Sequence, residues 1–153
     1  MIEQKENNLI IIKNKIVNSL MKNGKKRTGE KILLKLSKSL QRSTRKNSQT
    51  IIQLAIINLT PAFKINEQIV KKGKRKSKKI ILSFIVKNSL RVMNALKSIN
   101  FIAKKDKSPN GFSKRLCEEI LDASAFRGLS VEQKTKLQDQ ILLNKRYLSN
   151  FRW

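Results

Sequence analysis

Apolar residues recur three and four apart along most of this chain, the period of an α-helix with one buried face. Leu9, Ile12, Ile16, Val17 and Leu20 keep that spacing and predict a first helix over about residues 9–22, stopped at Asn23-Gly24. Thr28 as N-cap, with Ile32, Leu33, Leu36 and Leu40 inward and Lys31, Lys35 and Lys38 toward solvent, predicts a second over about 29–40. Gln41–Asn47 holds no apolar residue and reads as a loop. Asn47 or Ser48 then caps a third helix carrying Ile51, Ile52, Ala55, Ile56 and Leu59, which Pro61 ends.

At this point the period drops from helical to two. Ala62–Val70 alternates, with Phe63, Ile65 and Ile69 on one face and Glu67 as the exception. Ile80-Ile81-Leu82 is a second, short β-branched run. Helical spacing then resumes. Ser83 is read as the N-cap of a fourth helix over about 84–99, with Ile85, Val92, Met93, Leu96 and Ile99 inward. Lys104–Gly111 is a polar loop broken by Pro109 and Gly111. Ser113 opens a fifth helix with Leu116, Cys117, Ile120, Leu121 and Ser124 on one stripe, ended by Gly128. Ser130-Val-Glu-Gln133 fits a capping box for a sixth, which carries Leu137, Ile141, Leu142 and Leu148 toward a basic, aromatic end.

Between the two β-like runs lies the strongest local charge. Seven of the eleven residues 69–79 are basic: Lys71, Lys72, Lys74, Arg75, Lys76, Lys78 and Lys79. Gly73 provides the permissive backbone that a reversal needs. The local sequence leaves two readings open, a β-hairpin with a cationic tip and a solvated Lys-rich loop. With the hairpin, the fold class is mainly α. It is a single domain over 1–153, a bundle of about six helices with a protruding two-stranded arm at 62–83 between helices three and four, preceded by a short extension at 1–8. Such a ribbon is marginal alone in water and needs support at its base and tip.

Charge then narrows the function. The 153 residues hold 35 Lys and Arg against 10 acids, a formal charge of +25, which calls for a strongly anionic partner. Nucleic acid leads and an anionic membrane surface follows. Histidine is absent, which removes the usual acid–base residue at neutral pH and most zinc sites. Cys117 is the only cysteine, so no internal disulfide or multi-cysteine metal site forms; a small buried residue on a helix face is the reading. No cofactor or small-molecule substrate is expected. Glu118-Glu119 and Glu132 lie near no nucleophile or base, and exposure or salt bridging is expected of them. No apolar run approaches the roughly 20 residues of a membrane span. The first eight residues carry Glu3 and Glu6 without arginine, unlike a transit peptide. Heavy use of Lys, Ile and Asn matches an AT-rich coding sequence.

The order of elements and several short stretches resemble a known family. Val17-Asn-Ser-Leu-Met-Lys-Asn-Gly-Lys-Lys26 is similar to the end of helix one and the basic turn in ribosomal protein seven of the small subunit, the universal bacterial-type family. Thr60-Pro61, followed by strand, basic turn, strand and helix, resembles that family's arm. Glu119-Ile-Leu-Asp-Ala123 with Gly128 resembles its helix five, and Asn144-Lys145 with Phe151-Arg152-Trp153 its C-terminus. The resemblance implies a non-enzymatic constituent of the small ribosomal subunit. Such a protein binds ribosomal RNA as a primary binder and organises the head, the three-prime major domain. Its neighbours would be other head proteins, the exit-site tRNA and the outgoing mRNA. By position, Lys25, Lys26 and Arg27 would face RNA, Lys71–Lys79 would lie on the arm, and Lys145, Arg146 and Arg152 at the last helix's end. The chain departs from the family in its short, acid-containing N-terminus and in Lys72-Gly73-Lys74-Arg75, where bacterial and plastid arms carry Gly-Gly and an aromatic residue. The arm and the tail are each about one residue longer. These departures and the AT-rich bias favour a mitochondrial, organelle-encoded version over a plastid one.

The mechanism expected is phosphate neutralisation with counterion release. If six to ten phosphates are engaged, affinity falls by roughly 10³–10⁵ between 50 and 200 mM salt. Aromatics at 5% are few for a single-strand stacking platform, so recognition of folded RNA shape is expected. The alternative is a free-standing basic helical regulator that reads nucleic acid through Ser130–Leu142, a helix that also carries Glu132 and Asp139. A peripheral membrane protein is a weaker reading, because the apolar helix faces are accounted for by a shared core.

Overall fold

The computed structural model describes residues 2–44, 47–72, 75–105 and 111–144, with the backbone alone at 2–10, 67–68 and 70–80. Among these residues the order is α1 (Ile2–Leu20), α2 (Lys26–Thr44), α3 (Ser48–Leu59), β1 (Phe63–Lys72), β2 (Arg75–Phe84), α4 (Asn88–Lys105), α5 (Gly111–Ser124) and α6 (Leu129–Leu143). The sequence pattern therefore predicts the correct elements in the correct order, and the 69–79 segment resolves as a hairpin. β1 and β2 pair antiparallel from Phe63↔Phe84 to Lys72↔Arg75.

One apolar core joins the helices. It is built from the predicted stripes: Ile16, Val17 and Leu20 of α1, Leu33, Leu36 and Leu40 of α2, and Ile51 to Leu59 of α3. Leu96 and Ile99 of α4, Leu116, Cys117 and Ile120 of α5 and Val131 of α6 also belong to it. α5 runs through the middle and touches α2, α3, α4 and α6. Gly29 lets α1 and α2 approach closely: a Cβ there would lie 3.2 Å from the Val17 carbonyl oxygen. Buried Asn100 of α4 ties to α1 through Nδ2, which donates to the Ser19 carbonyl at 3.1 Å and to Ser19 Oγ at 2.6 Å. A buried amide with two partners has its desolvation offset.

Several predicted boundaries move, each for a physical reason. α1 begins at Ile2 rather than about residue 9, since Glu, Gln and Lys are good helix formers and no breaker precedes Leu9. α2 begins at Lys26, so Thr28 is inside it and its Oγ1 donates back to the Lys25 carbonyl at 2.6 Å. Ser83 does not cap α4. It sits in β2, where its Oγ receives Asn66 Nδ2 at 3.2 Å, and α4 starts five residues later at Asn88. Ile85 is buried in the connection rather than on the helix. The Asn47 cap of α3 does form, its side chain accepting from the Gln49 N–H at 3.1 Å.

The junction of α5 and α6 differs most. α5 ends at Ser124, not Gly128, through a left-handed cap at Phe126. Gly128, at φ 92°, is instead the N-cap of α6. The Ser130 capping box does not form. Ser130 lies within the first turn, its N–H donates at 2.8 Å to Glu119 Oε1, and its buried hydroxyl has no partner. Glu119 is thus buried rather than exposed or salt-bridged, a carboxylate from α5 set at the positive end of α6. Leu142, expected in the core, is 65% exposed.

Candidate nucleic-acid interface

The arm concentrates charge through its register. Lys71 is opposite Lys76, Lys72 opposite Arg75, Gln68 opposite Lys79 and Ile69 opposite Lys78. Like charges directly opposite across a ladder destabilise it. Ten-residue strands are about 33 Å long at the usual strand rise, and the basic pairs all lie in the distal half. Gly73 and Lys74, between the strands, lie outside the described residues.

The arm's base is held by apolar and aromatic contacts. Leu82, 1% exposed, and Ile85 are buried there. The Phe63 and Phe84 rings meet edge to face at 5.4 Å, and the Arg91 guanidinium of α4 stands 5.0 Å over the Phe84 ring. Arg91 Nε also donates to the Ile85 carbonyl at 2.7 Å. β1 further touches α6. These contacts fix the direction in which the cationic end leaves the body. No local sequence pattern marks Arg91 for this role, because its partners come from a strand and a connection whose packing against α4 is not a local property.

The second predicted group lies at the α1–α2 connection. Lys25, Lys26 and Arg27 are all exposed, Lys25 in the turn and the other two in the first turn of α2. Cations at a helix N-terminus oppose its dipole, so this placement is costly for the isolated protein. Lys26 offsets part of that with Glu30, at 3.9 Å. That is the one ion pair among the described residues. The predicted Lys145, Arg146 and Arg152 lie outside the described residues, as does Leu148.

Two further cations were not anticipated. Lys134 Nζ donates to the Asn58 carbonyl at 2.6 Å, and burial lowers its pKa. Arg115 of α5 has Nε and Nη1 shielded from water with no hydrogen-bond partner. An arginine flanked by Lys114 and Leu116 gives no sequence cue that its guanidinium is half-buried. Cys117 is buried as expected, and burial, followed by the Glu118 charge, raises its pKa. Among the described residues no cluster of three or more His, Cys, Asp or Glu side chains could hold a metal ion. No described helix is long and apolar enough to cross a membrane.

Residues 2–140 match the family described as Ribosomal protein S7p/S5e. The chain belongs to the ribosomal protein S7p/S5e family. Members of this family are structural proteins, not enzymes. The small ribosomal subunit protein uS7 of Carsonella ruddii (strain PV) is 31% identical over 140 residues, covering 90% of this chain and 84% of that protein. The uS7 protein of Wigglesworthia glossinidia brevipalpis is 29% identical over 142 residues, covering 93% and 86%. That of Vibrio campbellii (strain ATCC BAA-1116) is 28% identical over 139 residues, covering 91% and 85%.

Proposed function

We propose that this S7p/S5e chain is a primary ribosomal-RNA-binding protein of the small subunit, organising the RNA of the head. The observation that carries this reading is the charge arrangement. A formal +25 is set against one ion pair among the described residues, and the register sets Lys71 against Lys76 and Lys72 against Arg75 at the distal end of the arm. Cations arranged so await phosphates, and binding releases the counterions condensed on the RNA. The body positions the arm through Phe63, Phe84 and Arg91. Lys25, Lys26, Arg27, Lys71, Lys72, Lys74, Arg75, Lys76, Lys78 and Lys79 contact ribosomal RNA, and so do Lys145, Arg146 and Arg152. The arm and the end of α6 lie near exit-site tRNA and outgoing mRNA, beside neighbouring head proteins. The divergent arm turn and the AT-rich residue bias support a mitochondrial small subunit. The bacterial organisms of the relatives above favour a second reading, a bacterial ribosome.

Sedimentation of the tagged protein with small subunits, followed by RNA crosslinking, tests the proposal. Crosslinks from the arm to small-subunit head RNA are expected. A protein that stays at the top of the gradient would point to the free-standing regulator instead.

A further inference from the structure

α5 closes with a hydrogen-bond pattern that glycine normally serves. The Arg127 N–H donates to the Asp122 carbonyl at 2.8 Å and the Phe126 N–H to the Ala123 carbonyl at 3.2 Å, which together make a Schellman motif. The residue between must be left-handed, and here it is Phe126 at φ 61°. Among the described residues the other positive-φ positions are Gly24, Gly111, Gly128 and Asn23, residue types that reach this region readily. A bulky phenylalanine there is strained. Burial does not repay the strain, because Phe126 is 62% exposed.

The surroundings are ordered and basic. Asn58 Nδ2 donates to the carbonyls of Ala123 and Ser124 at 3.0 and 3.2 Å, which fixes the end of α5 against α3. Lys134 donates to the Asn58 carbonyl and stands 6.0 Å from the centre of the Phe126 ring. Arg127 is exposed beside it. One exposed carboxylate, Asp122, lies on the last turn of α5. The site thus offers a largely exposed ring with Lys134 over it and the exposed Arg127 next in sequence, a combination suited to an unpaired base and its phosphate. An apolar protein pocket would call for the ring but not for the flanking charges.

We propose that Phe126 stacks on an unpaired base of the bound RNA, with Arg127 and Lys134 at the adjoining phosphates. This rests on the RNA-binding reading above. The test uses the full chain with deproteinised small-subunit RNA carrying 5-iodouridine, and the variants F126G, F126L and F126Y. Wild type is expected to crosslink through the peptide containing Phe126. F126G is expected to raise Tm by about 2–4 °C through relief of the left-handed strain. The same variant should weaken RNA binding about tenfold, the loss of one stacked base. F126L should weaken it as well, and F126Y should retain it. Equal affinity of F126G and wild type would overturn this inference and leave RNA binding standing. Full retention by F126L would also overturn it, in favour of an apolar pocket. If wild type itself ignores the RNA, both readings fall.

Discussion

Replacing Phe84 by alanine is expected to loosen the arm while leaving the bundle folded. The ring makes three contributions that can be sized. Its edge-to-face contact with Phe63, at 5.4 Å, is worth about 0.5–1.5 kcal/mol. The Arg91 guanidinium at 5.0 Å adds about 0.5–1 kcal/mol at a partly exposed site. Burial of roughly half a phenylalanine contributes about 1 kcal/mol more. Together these amount to about 2–3.5 kcal/mol, large for a two-stranded ribbon that is marginal without support. The loss falls on local opening, because the arm meets the body chiefly at its base. Amide hydrogen exchange reads this directly. Amides of 63–72 and 75–84 are expected to exchange about 30–300-fold faster in F84A, with α3 and α5 amides unchanged. In a double-mutant cycle with R91A, Phe84 and Arg91 should couple by about 0.5–1 kcal/mol. Arm amides exchanging at the wild-type rate would refute the anchoring argument. Equal acceleration of arm and core amides would refute it too, since the ring would then support the bundle.

Changing Lys71, Lys72, Lys74 and Arg75 together to alanine should leave the fold intact and lower the salt slope of RNA binding by about 3, at roughly 0.7–0.9 per lost phosphate contact; an unchanged slope in a filter-binding titration would remove the arm from the interface. E119A should cost about 1–2 kcal/mol in urea unfolding through loss of the α6 cap, and E119Q less, because an amide oxygen still accepts the Ser130 N–H; equal costs would show that the charge, not the acceptor, matters. Burial, then the Glu118 charge, raises the Cys117 pKa above 9.0, so the folded chain keeps a proton that the unfolded chain loses. The Cys117 contribution to stability is therefore full below pH 9.0 and declines as pH rises through the higher folded value. Native-state alkylation of Cys117 should be slow and should rise only with unfolding.

The helical stripes were legible because each is local: Leu33, Leu36 and Leu40 announce a buried face in eight residues. The arm's charge was equally plain from Lys71 to Lys79. Signals that depend on a distant partner were not. Ser83 looks like an N-cap until Phe63, distant in sequence, pairs with Phe84 and draws the segment into β2. Ser130 and Gln133 spell a capping box, but Glu119 of α5 reaches the first turn of α6 instead. Phe126 carries no local mark of a left-handed residue, so Gly128 looked like the helix stop. The same limit governs the interface. Composition identified the cations, while the opposition of Lys71 to Lys76 and the seating of the arm by Arg91 emerge only from tertiary contacts.

The central claim is that the helical body carries unneutralised cations for folded RNA. Its most direct test is the affinity of the purified chain for deproteinised small-subunit RNA measured from 50 to 200 mM salt. A straight log–log plot with affinity falling by roughly 10³–10⁵ is the predicted result. Binding that is absent at 50 mM, or indifferent to salt across that range, would contradict it.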